Sequence, residues 1–287
     1  HCHFSILYNE LPFLKQKMSF LYENFDQLIF YDLNVTDPVG EYTFSTDGTH
    51  EFIRDYPDPE NKITLIETKN LDHVSIEGMP GHGSHGKRKM FIEGSKYIKD
   101  DMDVYWCTDM DEFFTKEFIS KVEKIFSTTD YDHVDLYHLL YYKDLDHILA
   151  DTQNILFDLD LPRVSRHTPG NVYGHCSLKD QYRKLCKLHP QEELYHHFAW
   201  VGEKRVKFKF DFYVSNGASA EHYKTYSDNV WDKFNPSEIK TESGKLYGYP
   251  HMHPNPAIKK GVSRCDVSLP NYINKEELLR DLNDTDL

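Results

Sequence analysis

Apolar positions along the first part of the chain alternate between two periods. His3 to Leu7 is a short apolar-leaning run of strand type. After Tyr8-Asn9-Glu10, residues Leu11, Leu14, Met18 and Leu21 recur at amphipathic helical spacing. Leu28 to Tyr31 is a compact buried-strand pattern that ends at Asp32. Strand, helix, strand at this spacing is a βαβ unit, for which parallel pairing is the expected packing. A stretch rich in Asp, Gly, Pro and Thr from Asn34 to Glu60 predicts a long loop, with a short helix around Glu51 to Arg54. Ile63 to Ile66 predicts a third strand. The glycine-rich turn from Gly78 to Gly86 has the spacing of neither a P-loop nor a dinucleotide fingerprint. It leads into Lys87-Arg88-Lys89, which opens a helix with Met90, Phe91, Tyr97 and Ile98 on its inner face.

The next strand, Val104 to Cys107, runs straight into Thr108-Asp109-Met110-Asp111-Glu112. A helix follows, with Phe114, Phe118, Val122 and Ile125 at helical spacing, and then a strand from Val134 to Tyr137. From Asp144 to Asp160 and from Arg163 to Lys187 the pattern is polar and rich in His and Tyr, which predicts loops and short helices. Further on, Val206, Phe208 and Phe210 alternate with Lys207 and Lys209. That period of two predicts a strand with Lys207 and Lys209 on one face and Lys204 ahead of it. His251 and His253 fall in a proline-rich loop pattern. The acidic tail from Asn274 predicts a surface helix that frays.

Composition narrows the function classes. A chain of 287 residues can bury a sizeable core. Its 20 Tyr and 18 Phe argue for a folded protein with ring-lined surfaces. A formal net charge of -14 excludes the general basic footprint of a nucleic-acid binder. An anionic small molecule remains compatible where a local basic patch or a metal offsets that field. The 5 cysteines are odd in number and irregularly spaced, against both a disulfide framework and a structural zinc site. No apolar run is long enough to span a membrane. Acidic balance and unpaired cysteines predict a cytoplasmic setting, with an upstream segment left open because the chain starts at His1.

Candidate chemistry concentrates at strand ends. In open parallel sheets ligands bind at the carboxyl ends of the strands, which places Asn9, Glu10 and Asp32 at the ligand edge. Asp109 and Asp111, two apart after a strand, can converge on one hard divalent cation such as Mg²⁺ or Mn²⁺, leaving positions open for substrate phosphates. Solvated turn residues favouring the following helix dipole are the equal alternative. Lys87 and Arg88 at a helix start invite an anionic partner, with a solvated basic face as the equal alternative. Around His196-His197-Phe198, His197 is a candidate metal ligand and Lys204 a candidate diphosphate cation; an exposed edge strand is the alternative.

The order of these motifs resembles family 2 glycosyltransferases. Ser5 to Glu10 is similar to their opening strand and YNE turn, Ile29 to Asp37 to their second strand and its acidic loop, and Lys87 to Phe114 to their basic helix and D-x-D-E-F metal motif. His197 to Lys204 is loosely similar to the H-F-x-G-x-x-K segment of family 8 and the W-H-F-S segment of family 17. The resemblance implies an α/β fold of the GT-A type, Rossmann-like, with a mostly parallel central sheet flanked by helices. It implies one domain over 1–270, with a nucleotide-sugar half at 1–140 and an acceptor half at 141–270, before the tail at 271–287. By the same resemblance, Asn9, Glu10 and Asp32 meet the nucleoside and Lys87, Arg88, Asp109 and Lys204 the donor. Asp109, Asp111 and His197 hold Mn²⁺ or Mg²⁺. The implied partners are a UDP- or GDP-sugar and a glycan acceptor. Glu203 and Asp211 are the candidate bases for the acceptor hydroxyl. A metal-dependent nucleotidyltransferase and a non-catalytic glycan-binding module are the competing classes.

Overall fold

The computed structural model describes residues 1–32, 44–67, 85–135, 137–150, 163–169, 184–188, 194–215, 218–238, 246–248, 251–255 and 258–284. In chain order its elements are β1 (Cys2–Leu7), α1 (Leu11–Asn24), β2 (Gln27–Asp32), α2 (Thr49–Arg54), β3 (Ile63–Ile66), α3 (His85–Ser95), β4 (Val104–Cys107), β5 (Glu112–Phe113), α4 (Lys116–Thr128), β6 (His133–Asp135), β7 (Tyr137–Lys143) and β8 (His147–Ala150). There follow β9 (Val164–Arg166), β10 (Leu185–Lys187), β11 (Leu194–Val201), α5 (Glu203–Ser215), α6 (Ala220–Tyr226), β12 (Gly261–Arg264) and α7 (Lys275–Asp284). The fold is α/β with a mostly parallel central sheet and flanking helices.

The chain divides into two compact units. The first comprises His1–Met110, Phe114–Leu136 and Asp160–His189. Its sheet has the order β10-β6-β9-β4-β1-β2-β3. The central strands β4, β1, β2 and β3 are parallel neighbours, and the short β9 pairs antiparallel to β4 and β6. Strands β1 and β2 are buried almost throughout, as expected for parallel strands covered on both faces. Gly94 of α3 lets that helix approach β1, since a Cβ there would stand 2.3 Å from the Phe4 ring. Met90, Phe91 and Ile98 join this core, but Tyr97, predicted to share that face, is 41% exposed beyond the helix end.

Strand order first reverses after β3 in this sheet. The chain steps outward from β1 to β2 to β3, then returns to lay β4 on the other side of β1. The β1/β4 boundary is therefore a topological switch point, the place where open α/β sheets leave a crevice at their carboxyl ends.

The second unit comprises Asp111–Phe113, Tyr137–Leu159 and Pro190–Leu287. Its sheet has the order β12-β8-β7-β11-β5, with β7 and β11 parallel and the other pairs antiparallel. Trp231, Tyr142, Val206, Phe210 and Tyr226 form its core against β7, β8 and α5. The acidic tail is better anchored than its charge suggests: α7 buries Leu278 and Leu282 fully. Its end caps α5, with the Glu203 amide donating to Asn283 Oδ1 at 2.8 Å.

Candidate functional site

In the first unit, the carboxyl edge of the sheet carries Asn9 after β1, Asp32 at the end of β2, and Thr108 and Asp109 after β4. Asn9 takes a left-handed backbone (φ 55°), a conformation Asn tolerates better than most residues. Its amide donates to Ser45 Oγ at 2.9 Å, and its Oδ1 accepts from the Thr46 amide at 2.8 Å. The Glu10 amide donates to Thr49 Oγ1 at 2.8 Å. Asp32 is fully buried; its Oδ1 accepts from the Ser45 hydroxyl at 2.5 Å and the Ser45 amide at 3.1 Å. Its Oδ2 lies 3.0 Å from His50 Nδ1, and His50 Nε2 lies 2.9 Å from Glu67 Oε1. Burial raises the Asp32 carboxyl above its ordinary value, and the contacts with Ser45 and His50 only partly reverse this.

At the switch point, Thr108 is held from three sides. Its Oγ1 lies 2.7 Å from His3 Nε2 and accepts from Lys17 Nζ at 3.2 Å, while its carbonyl accepts from Ser5 Oγ at 2.5 Å. Lys17 is fully buried and also donates to the Asp109 carbonyl at 3.3 Å. Burial, with the Lys17 charge beside it, keeps His3 well below its usual value and so neutral. The Asp109 side chain is 25% exposed, with its Oδ2 3.9 Å from Arg163 Nη2. Lys17 and Arg163 escape sequence reasoning: an isolated Lys in an amphipathic helix and an Arg in a polar stretch carry no spacing signal.

In the second unit, Asp111 is buried among cations. Its Oδ2 lies 3.1 Å from Arg205 Nη2 and 3.5 Å from Lys209 Nζ; its Oδ1 lies 3.5 Å from His197 Nε2. Burial alone would raise this carboxyl, but Lys209, His197 and Arg205 together hold it well below the ordinary carboxylate value. The cluster exists because 203–215 is helical rather than the predicted strand. Gly202, at φ 83°, turns the chain into α5, and a Cβ there would stand 2.6 Å from Leu282 Cβ. On a helix, Arg205 and Lys209 share one face and Val206 and Phe210 the next, each pair four residues apart. The alternation read as strand is the same apolar pair, Val206 and Phe210, seen at the wrong period.

The helix also reassigns the neighbouring charges. Lys207 does not share a face with Lys209; it pairs with Glu203 at 3.0 Å. The Glu203 carboxylate further accepts from Lys143 at 2.9 Å and Trp231 Nε1 at 3.1 Å, the contacts of a structural ion-pair partner. Lys204 donates to the Asp284 carbonyl at 3.2 Å, and Asp211 is exposed on α5. Lys87 and Arg88 fall in the first turn of α3, as predicted, with side chains outside the described residues. Trp106 is a fully buried core residue stacked on Phe114, and Lys209 lies over the Trp200 ring at 5.2 Å.

One further group in the second unit has metal-binding geometry. Glu112 of β5, His138 of β7 and His197 of β11 each offer a ligand atom, and these atoms lie within 4.8 Å of one another. Glu112 and His138 were not picked out by sequence, because nothing in their spacing links residues brought together by strand pairing.

No family model matches the chain, and no curated protein matches it. Among solved structures it is similar to S. aureus TarS 1–349, at 14% identity and a TM-score of 0.42, over 84% of this chain and 75% of that one. It is also similar to S. aureus TarS 1–349 in complex with UDP-GlcNAc, at 14% identity and a TM-score of 0.41, over 78% of this chain and 69% of that one. With S. aureus TarS the identity is 15% and the TM-score 0.41, over 84% of this chain and 45% of that one.

Proposed function

We propose that this chain is a glycosyltransferase, moving a sugar from a nucleoside diphosphate donor, a UDP- or GDP-sugar, to a hydroxyl of a glycan. The observation that carries this reading is the switch point of the first sheet. There the parallel strands β1 and β4 end in Asn9 and in Thr108-Asp109, with Asp32 on the next strand of the same edge. Such an edge suits a nucleotide, with hydrogen-bonding groups for the nucleoside and an acid near its phosphates. Asn9, Glu10 and Asp32 are the proposed nucleoside residues, and Lys87 and Arg88 the proposed diphosphate cations.

The two acids differ in their fit to Mn²⁺ or Mg²⁺. Asp109, partly exposed at the end of β4, fits as one carboxylate of a hydrated cation that also takes substrate phosphates. Asp111 does not fit in this arrangement, because its carboxylate is already met by Arg205, Lys209 and His197. A divalent ion placed there would face two like charges. When bound at Asp109, the cation would neutralise charge gathering on the departing diphosphate. Of the two candidate bases, Glu203 is committed to Lys143, Lys207 and Trp231, which leaves Asp211, exposed on α5, as the proposed base.

A thermal-shift screen of nucleoside diphosphates and nucleotide sugars, each with and without Mn²⁺ or Mg²⁺, tests the reading. A native-state ligand at a hundred times its Kd stabilises by about 2.7 kcal/mol. A metal-dependent rise in Tm confined to one base is the expected result. No rise with any diphosphate, at concentrations well above the micromolar range usual for substrates, counts against it.

A further inference from the structure

We propose that Glu112, His138 and His197 form a site for a divalent transition metal of the zinc class, which staples the two-residue strand β5 onto β11 and β7. The geometry follows from strand register. Glu112 and His197 are directly opposed across the antiparallel β5/β11 pair, so their side chains share a face. His138 opposes Tyr195 across the parallel β7/β11 pair, and Tyr195 and His197, two apart, point the same way. The His138 and His197 rings stand edge to face with centroids 5.8 Å apart. Three neighbouring strands thus deliver two imidazoles and one carboxylate to one spot on one face.

The separations suit an ion. A tetrahedral zinc with bonds of about 2.0–2.1 Å holds its ligand atoms roughly 3.4 Å apart. Atoms already within 4.8 Å of one another close that gap by small side-chain rotations. Glu112 and His138 are fully buried, and the His197 side chain is 13% exposed, so the group lies beneath the surface rather than among solvated acids.

The surroundings of His197 select its ligand atom. Its Nε2 faces the Asp111 carboxylate at 3.5 Å, while its Nδ1 is buried with no hydrogen-bond partner among the described residues. A metal-binding histidine commonly gives its second ring nitrogen to a carboxylate, which fixes the tautomer and strengthens the ligand. Asp111 occupies that outer position, itself anchored by Arg205 and Lys209. Two imidazoles favour zinc-class ions over Mg²⁺ or Ca²⁺, which prefer oxygen. The consequence is mechanical. Strand β5 has two residues and, among the described residues, pairs with β11 alone, so a metal bridging three strands would fix the segment that carries Asp111.

This inference does not rest on the transfer reaction, and its test reads the resting protein. The whole chain is purified without chelator, its metal content measured by plasma mass spectrometry, and then stripped and reloaded with Zn²⁺, Co²⁺ or Mg²⁺. A single equivalent of zinc, a Tm that falls on stripping and returns with Zn²⁺ or Co²⁺ but not with Mg²⁺, and a visible Co²⁺ spectrum of tetrahedral intensity are expected. In His138→Gln, which nearly preserves side-chain volume, Zn²⁺ affinity should fall more than about tenfold, the scale of losing even an outer partner. If that variant does not fold, His197→Gln and the wild-type Co²⁺ spectrum decide. Substoichiometric zinc with no recovery of Tm, or a Co²⁺ spectrum unchanged by His138→Gln or His197→Gln, overturns the proposal.

Discussion

Asp32 in the first unit and Asp111 in the second are both buried carboxylates at strand ends, yet they are pushed in opposite directions. Asp32 is met by a hydroxyl, an amide and an imidazole, and burial wins: its carboxyl is raised. Asp111 is met by a guanidinium, an ammonium and an imidazole, and the charges win over burial: its carboxyl is lowered. The first sheet meets its buried acid with hydrogen bonds from Ser45 and a contact with His50. The second locks its acid in an ion-pair network, the arrangement of a fixed support. A buried carboxylate therefore says little about its role until its partners are known.

The contrast is broken or sharpened by substitution. Asp111→Ala leaves Arg205 buried without its acid and should cost about 3–5 kcal/mol, read from urea unfolding at neutral pH. Because the folded value of Asp111 is depressed, its contribution is present above the unfolded carboxylate value of about 3.9 and is lost as pH falls toward the folded value. The gap between wild type and variant should therefore narrow in acid; a constant gap would mean that the carboxylate is not the ion-paired group. Asp32→Asn should move stability by less than about 1 kcal/mol at neutral pH. A raised folded value contributes stability below the unfolded value and loses it as pH rises, so little of it remains at pH 7. A loss there as large as that of Asp111→Ala would erase the distinction between the two edges. Smallest is Lys207→Ala, whose half-exposed ion pair with Glu203 should contribute no more than about 1 kcal/mol and fade with salt, as double-mutant cycles would show.

Much of the first sheet is legible in the sequence. Leu14, Met18 and Leu21 announce α1, and Ile63 to Ile66 is β3 as predicted, because these patterns encode burial on one face or both. The edge residues Asn9, Asp32 and Asp109 follow from strand ends alone. The second unit hides its organisation. Val206 and Phe210 fit a period of two as well as a helical turn, and only the turn at Gly202 and the cap from α7 decide between them. The pairing of Arg205 with Asp111 depends on helical phase, which the spacing of cations alone does not carry. Glu112 and His138 became visible only through β-pairing between segments far apart in sequence.

The most direct test of the transfer reading is product analysis with Asp109→Asn beside the wild type. Nucleotide sugars and Mn²⁺ are supplied, and the nucleotide products are separated. The account predicts release of a nucleoside diphosphate by the wild type and a loss of about a hundredfold or more in Asp109→Asn, the scale of removing one electrostatic element, with Tm nearly unchanged. Release of pyrophosphate, or turnover unaffected by the substitution, would contradict it.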